Sequence, residues 1–375
     1  RLLRLNPKSV VRVRNHHTNK RKKKKEKVRR MSQVIVVGGG LAGMSAAHTV
    51  IQNGGRVLVL DKSAFCGGNS TKATSGVNGA GTRTQRMLKI PDAAEIFEKD
   101  TAKSAGRLVR PDLVRALTHQ SGPAVDWLMD SFGLDLTVVS RLAAHSHPRT
   151  HRGSSGGQFP GMMITYQLME DLDKISDASS RARVVNKATV QRLIQDDKGN
   201  VIGCEYEKGG KLFQEYGPVI ISTGGFGADF SDTSLLSKVE KKWRELDAWK
   251  GGVPLPPLRS LSTTNGPHCT GDGIKLSTSI GASVADLHCV QVHPTGLVDP
   301  RDPTNKVRWL AAEALRGHGA LLLDKDGQRF CNELGKRDYV SGRMWKHNNG
   351  PYRLVLGSAA TSEIDWHCEH YKGRG

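Results

Sequence analysis

Between residues 34 and 61 the hydrophobic period of the chain changes twice. Val34 to Val37 are four consecutive apolar residues, the pattern of a short strand buried on both faces. Leu41 to about Gln52 has helical spacing and is stopped by Asn53-Gly54-Gly55, a good C-terminal signal. Arg56 to Leu60 is a second apolar strand, and it ends in Asp61. At the first strand-to-helix turn Gly38, Gly40 and Gly43 spell G-x-G-x-x-G, with Leu41 and Ala42 opening the helix. One glycine permits the tight turn, one lets the backbone approach a pyrophosphate, and one lets the helix pack close to the strand. The free N–H groups of the helix N-terminus then face the phosphates. Asp61 stands about 20 residues after the glycines, where an acid accepts from a ribose hydroxyl, and Lys62 follows it. Strand, turn, helix, strand and acid in this order predict a dinucleotide site.

Beyond Asp61 the pattern changes character. Residues 62–82 are dense in Gly, Ser, Thr and Asn, so the backbone of Gly67-Gly68-Asn69-Ser70 and of Gly76-Val77-Asn78-Gly79 can lie against a ligand. Residues 92–130 carry Ile96, Phe97, Leu113, Leu117, Val125 and Leu128 at helical spacing, with Pro111 at a helix start, and predict helices covering the sheet. Residues 145–161 read as a loop rich in His, Arg and Gly, either bordering an anionic site or lying on the surface; Tyr166 to Ile175 reads as a helix. Arg183 to Ile194 and Val201 to Tyr206 read as a strand pair turning at residues 196–200, with a third strand from Lys211 to Tyr216. A buried strand is expected at Val219 to Ser222, ending in Thr223-Gly224-Gly225 where the sheet meets the dinucleotide again. Residues 231–262 give no secure element. Thr270-Gly271-Asp272-Gly273-Ile274 opens another helix, with Asp272 as a further cofactor candidate.

At 375 residues the chain is long enough for two domains, or for one large one with an insertion. Its formal charge of +20 is uneven: residues 1–30 hold 14 Lys or Arg against Glu26 alone, leaving +7 for the rest. Such a run stays solvated and disordered. It fits a nucleic-acid patch, an anionic-membrane tether or an organelle presequence, or it lies upstream of a mature start at Met31. No nucleic acid is expected except through this tail. No apolar run could span a bilayer. The six cysteines are scattered, without C-x-x-C or zinc spacing, so free thiols and no metal are expected.

With these motifs in place, the sequence resembles the soluble FAD-dependent fumarate reductases of the succinate dehydrogenase/fumarate reductase flavoprotein family. The resemblance rests on GGGLAG (38–43), GGNSTKATSGVNGAGT (67–82), STGGFGAD (222–229), TGDG (270–273), QVHPTG (291–296) and EALRGHGALLLDKDGQRFCNELGKRD (313–338). It implies an α/β fold, with a Rossmann-like FAD-binding domain and β-meander over residues 31–287. An incomplete α+β capping domain follows over residues 288–375. The implied activity is reduction of fumarate to succinate by an oxidoreductase acting on CH–CH groups. Carried over residue by residue, the resemblance makes His293 a ligand of a substrate carboxylate. Arg337 becomes the proton donor, relayed by Glu313 and Arg316, and Ala312 and Glu313 stand at the substrate. Chemistry alone gives Arg337 only a clamping role, because its pKa lies above about 12. A plain helical ion pair is the alternative for Glu313 and Arg316, and a structural histidine at a strand end the alternative for His293.

Three departures from the family pattern matter. Asn69 replaces the histidine that binds FAD covalently in membrane-bound members, which implies non-covalent FAD. Ala312 stands where some soluble members have Thr. The chain ends in HYKGRG within what the resemblance makes the cap, before the family's second substrate His, second substrate Arg and last flavin-binding segment. A catalytically incompetent flavin-binding fragment, or a related C=C reductase or succinate dehydrogenase-like flavoprotein, is the alternative expectation. Electrons would come from an NADH-linked domain, reduced free flavin or an electron-transfer protein. An intracellular location is expected, with cytoplasm and mitochondrion left open.

Overall fold

The computed structural model describes residues 33–142, 144–154, 158–232, 234–246 and 256–373, so the basic tail lies outside the described residues. Its principal elements in chain order are β1 (Gln33–Val37), α1 (Leu41–Gln52), β2 (Arg56–Leu60), α2 (Ala94–Ala105), α3 (Pro111–Phe132) and α4 (Pro160–Ala178). They continue with β3 (Ala182–Val185), β4 (Thr189–Gln195), β5 (Val201–Lys208), β6 (Lys211–Tyr216), β7 (Val219–Ile221) and α5 (Leu235–Leu246). The last are α6 (Asp272–Ser279), α7 (Glu313–Gly317) and α8 (Arg337–His347).

Four strands form one sheet in the order β7-β1-β2-β3, and every pairing in it is parallel. The register sets Ile35 opposite Leu58 on one side and Val219 on the other. Apolar runs rather than alternation suit β1 and β2 because both faces of the sheet are covered. On one face Val36, Val57 and Val59 pack with Met44 of α1, Val125 and Leu128 of α3, and Leu168 of α4. On the other face Ile35, Val37, Leu58 and Leu60 pack against Val190, Leu193, Cys204 and Tyr206 of a meander, with Leu276 of α6. The meander is the antiparallel sheet β4-β5-β6, turning at Asp196 to Asn200 as the sequence predicts. The boundaries of β1, α1 and β2 agree with the apolar runs and the Asn-Gly-Gly stop.

Several expectations are corrected. The run Arg183 to Ile194 is two strands: β3 completes the parallel sheet, and the chain breaks at Lys187, φ +54°, before β4 starts the meander. The strand at Val219 is an edge strand, with Ile220 and Ile221 each 36% exposed, because among the described residues it is paired only with β1. Leu113 and Leu117 point outward from α3, whose buried face runs through Val114, Thr118, Ser121, Val125, Leu128 and Phe132. Part of residues 145–161 is interior. Thr150–Arg152 is a strand between Val77–Asn78 and Val138–Ser140, and Arg149 and His151 are both fully buried. The Arg149 guanidinium reaches Asp92 (2.9 Å) and Asp100 (3.0 Å) and lies over the Phe97 ring. The polar stretch 231–262 contains α5, which buries Leu235, Leu236 and Val239.

The loop expected at the cofactor is pinned to this interior by a capping box. Thr82 Oγ1 accepts from the Gln85 N–H (3.0 Å), the Gln85 side chain accepts from the Thr82 N–H (3.1 Å), and Thr82 Oγ1 also meets His151 Nε2 (2.8 Å). Thr82→Ala is therefore expected to lower stability by about 1–2 kcal/mol, read as a shift of the urea midpoint at unchanged slope.

Candidate functional site

The glycine turn sits at the C-terminal end of β1, where an open parallel sheet receives its ligand. Gly38 has φ +104°, and a Cβ there would lie 2.5 Å from the Ser222 carbonyl oxygen after β7. A Cβ on Gly43 would lie 1.9 Å from the Gly38 carbonyl oxygen, so only glycine lets α1 pack this close. The Leu41 N–H donates to Ser70 Oγ (3.0 Å). The N–H groups of Ala42 and Gly43 have no acceptor within the helix. A cavity of about 220 Å³ opens over this turn, and Gly40, Gly68 and Gly224 line it. At Gly224 a side chain would meet no atom within 4 Å, so the space beside it is a cradle that a Cβ would partly fill. His268 lines the same cavity, and its Nε2 is buried without a hydrogen-bond partner among the described residues. Backbone donors, an unpartnered imidazole nitrogen and a carboxylate at the strand end fit a dinucleotide.

Asp61 Oδ2 accepts from the Gly39 N–H (2.7 Å) and Oδ1 from the Ser63 N–H (2.8 Å), which fixes the carboxylate at the mouth of the cavity. Lys62 bridges Asp272 Oδ2 (2.6 Å) and Thr270 Oγ1 (2.7 Å), tying the end of β2 to the start of α6. Asn69 lines the cavity, donating to Asn265 Oδ1 (2.8 Å) and accepting from the Gly266 N–H (2.9 Å). Thr223 lines it too, and its Oγ1 accepts from the Gly273 N–H (2.9 Å).

The cofactor candidates therefore divide. Gly38, Gly40, Leu41, Ala42, Asp61, Lys62, Gly68, Asn69, Ser70, Thr223, Gly224 and Asp272 line the cavity. Gly43 supports it through packing, and Gly67 through a bridge to Gly40. Gly225 accepts from the Gly271 N–H at its carbonyl and is not in the lining. Gly76, Asn78 and Gly79 pack away from it: Gly76 against the His151 carbonyl, Asn78 through Thr150, and Gly79 against Val125. Their composition suits close packing as well as it suits a ligand. His268 and Asn265 carry no local sequence signal of the kind the glycines do.

A second cluster gathers on α7, α8 and the loop before them. Arg337, the first residue of α8, donates from Nη2 to Glu313 Oε2 (2.9 Å) and from Nη1 to Gln291 Oε1 (3.1 Å). Glu313, the first residue of α7, takes Arg316 Nη2 on its other oxygen (3.5 Å), so one carboxylate joins two guanidiniums. This is more than a helical i, i+3 pair. Arg316 is buried and donates from Nη1 to the Glu333 carbonyl oxygen (2.7 Å), while Glu333 is itself held by Arg329 and the Leu322 N–H. Burial favours the protonated form of Glu313, but the hydrogen bond from Arg337 and the charges of Arg337 and Arg316 outweigh it and hold the carboxyl below its usual range. Burial lowers the Arg316 pKa, against the pull of Glu313.

His293 and Arg337 line one cleft of about 660 Å³ together with Gln291. His293 Nδ1 accepts from the Thr295 N–H (3.2 Å), which puts the ring proton on Nε2, and that nitrogen is buried without a partner among the described residues. Burial, then the charges of Arg337 and Arg316, push the imidazole down to about 4. His293 is thus a neutral donor near pH 7. Between its ordinary 6.5 and about 4 the unfolded chain binds a proton that the folded chain does not, so stability falls as pH falls through that window. His293→Gln is expected to flatten that part of the decline, by about 1.4 kcal/mol for each pH interval of about one across it, measured by urea unfolding at several pH values. Ala312 does not line the cleft: it is buried in an apolar cluster and its N–H donates to Tyr371 Oη (2.9 Å). Gln291, which stands in the QVHPTG run but carries no expected role, does.

A parallel sheet, a glycine turn and a cradle of backbone donors define an FAD-binding type of α/β protein. Residues 33–364 match the family described as "FAD binding domain". The chain is 45% identical over 342 residues to a fumarate reductase of Schizosaccharomyces pombe, an alignment covering 90% of this chain and 63% of that protein. It is 36% identical over 339 residues to fumarate reductase 1 of Saccharomyces cerevisiae, covering 88% of this chain and 68% of that protein. Its fold is similar to the open conformation of a flavocytochrome c3 fumarate reductase, with a TM-score of 0.71 and 26% identity, over 97% of this chain and 59% of the other. The chain belongs to the FAD-binding-domain family, in its fumarate reductase branch, and FAD is its cofactor. It spans 63% of the fission-yeast relative's length. Among the described residues no helix is long and apolar enough to cross a membrane.

Proposed function

We propose that the chain serves FAD-dependent reduction of fumarate to succinate, with Arg337 delivering the proton. The observation that carries this reading is the Arg316–Glu313–Arg337 line ending in the cleft that also holds the unpartnered Nε2 of His293. Bound FAD supplies a hydride for reduction of a C=C bond. The residues supply the rest. His293, neutral and protonated on Nε2, donates to a substrate carboxylate. Arg337 stands in the cleft with a guanidinium N–H to give to the carbon opposite the one reduced. An arginine is a weak acid in water, but a carbon gaining negative charge beside a carboxylate, in a molecule that is already a dianion, is a strong enough base to take its proton. Loss of that proton removes one of the charges that hold Glu313 ionised, so Glu313 takes up a proton passed along Arg316 from solvent and hands it to Arg337.

The same reading places the FAD-binding domain at residues 31–287 and a capping domain at 288–375. Asn69, an amide at the position of the family's attachment histidine, supports non-covalent FAD, so acid precipitation is expected to release the flavin into the supernatant. The electron donor belongs to the class of reduced free flavin, an electron-transfer protein or an NADH-linked domain. The test is anaerobic: the flavin-loaded chain is reduced with dithionite, fumarate is added, and the return of oxidised flavin absorbance is followed. No fumarate-dependent reoxidation in a chain that holds its flavin would overturn the reading for this chain. Faster reoxidation by a monocarboxylate such as acrylate would move it to a related C=C reductase.

A further inference from the structure

Between α6 and α7, outside the dinucleotide cavity and the substrate cleft, the chain makes a sharp turn at Asp286 to Cys289. The Cys289 N–H donates to the Asp286 carbonyl oxygen (2.9 Å), and Asp286 takes φ +55°, a left-handed conformation that Asp tolerates better than most residues. The turn is anchored from below. Leu287 and Val290 pack with Leu236, Val239 and Leu258, and the Trp243 indole N–H of α5 donates to the His288 carbonyl oxygen. Three other side chains are thereby left together at the surface. A carboxylate oxygen of Asp286, a ring nitrogen of His288 and the Cys289 sulfur all lie within 4.8 Å of one another. Among the described residues this is the one group of three His, Cys, Asp or Glu side chains gathered closely enough to share an ion. The Arg110 guanidinium, from the residue before α3, donates to Asp286 Oδ2 (2.7 Å), which orients the carboxylate as outer partners of metal ligands do.

We propose that Asp286, His288 and Cys289 form a zinc(II) site, with water as the fourth ligand. A thiolate and an imidazole select a borderline-soft ion, whereas magnesium and calcium take all-oxygen shells. Zinc bonds of about 2.0–2.3 Å set tetrahedral donors roughly 3–4 Å apart, a spacing that these surface side chains reach by small rotations. The thiol proton passes to water as the Zn–S bond forms. Zinc spacings legible in a sequence place the ligands in separated pairs, and Asp-Leu-His-Cys within one turn shows none. The site bears on the cleft through the chain itself. Gln291 and His293, which line the cleft, follow the turn by two and four residues, so a bound ion clips the point from which that stretch departs.

The test uses the full chain loaded with FAD, its thiols reduced and metal removed. Alkylation of Cys289 by iodoacetamide is followed by peptide mass spectrometry over a series of chelator-buffered zinc concentrations. The cysteine is its own reporter, so zinc held elsewhere, as by His16 and His17 of the basic tail, does not register. Alkylation is expected to be half-suppressed at about 1 µM free zinc or below, weaker than four-ligand structural sites because one ligand is water. The same concentration of magnesium is expected to leave the rate unchanged, and Cys331, also half-exposed, is expected to react equally fast with and without zinc. In His288→Gln and in Asp286→Asn the zinc needed for half-suppression is expected to rise by at least about 10-fold, since even outer partners of ligands are worth about 10- to 100-fold. Both changes lie at the surface, and the Asp286–Arg110 pair is exposed, so flavin content is expected to stay at the wild-type level. Unslowed alkylation of wild-type Cys289 at about 100 µM free zinc would overturn the proposal. So would protection that survives unchanged in both variants, which would make the thiol alone the ligand, or equal protection by magnesium.

Discussion

Arg337→Gln is expected to slow fumarate-dependent reoxidation of the reduced flavin by about 10²- to 10⁴-fold, the range for losing a positioned general acid. Flavin occupancy is expected to stay at the wild-type level. The two halves of this expectation come from different contacts. Arg337 touches Glu313 and Gln291 and lines the larger cleft, and it is absent from the lining of the dinucleotide cavity. Arg337→Lys separates acid from clamp: a lysine keeps the positive charge but cannot span Glu313 and Gln291 with a planar fork. If Arg337 only clamps, both variants lose mainly substrate affinity, because neither side chain spans Glu313 and Gln291. If it is the acid, Arg337→Gln loses turnover, Arg337→Lys, which still carries a proton, recovers part of it, and Glu313→Gln loses turnover because the donor is no longer recharged. A loss of only a few-fold in Arg337→Gln would remove Arg337 from the proton step.

Gly43→Ala is expected to give a protein with little or no bound flavin. The added methyl carbon would lie 1.9 Å from the Gly38 carbonyl oxygen, a backbone atom that cannot swing aside as a side chain can. Helix α1 must then lift from β1, and the N–H groups at its start leave the positions from which they face the phosphates. Overpacking of this kind costs about 1–3 kcal/mol of stability. The larger effect is on the cofactor, because every backbone donor at the turn moves together. Gly357→Ala is the control: a Cβ there meets nothing within 4 Å, and its flavin content is expected to match the wild type. Spectra of the two purified variants check both statements. A fully yellow Gly43→Ala protein would show that the turn tolerates the change.

How far the sequence could be read depended on whether the signal was local. The limits of β1, α1 and β2 follow from glycines, an Asn-Gly-Gly stop and uninterrupted apolar runs, all within a few residues of the boundary they set. The division of Arg183 to Ile194 was hidden because the break falls at Asn186-Lys187-Ala188, where Lys187 turns with positive φ and neither Gly nor Pro marks it. Helix α5 was hidden because most of its residues are polar, and Leu235, Leu236 and Val239 bury one side only. Arg149 and His151 belong to a stretch that reads as a loop, either bordering an anionic site or lying on the surface. Arg149 is buried against Asp92 and Asp100, about 50 residues away, and His151 against Thr82, and such pairings leave no trace in a local pattern. In the site, His293, Glu313, Arg316 and Arg337 were legible through a resemblance and then found close together. Gln291 and His268 matter by position alone.

The two halves of the site differ in what the chain must do to assemble them. The Arg337–Glu313 contact closes 24 residues, whereas the contact of Ser222 with the Gly38 carbonyl at the dinucleotide turn closes 184. Loop closure grows as about (3/2)RT ln n, which puts the longer closure roughly 2 kcal/mol behind the shorter. The proton line is therefore a local structure that forms within one stretch of chain, while the cradle appears only when β7 returns to β1 across the meander. During refolding the cradle is the late structure, and FAD, which binds only when that return is complete, draws the chain toward it by mass action.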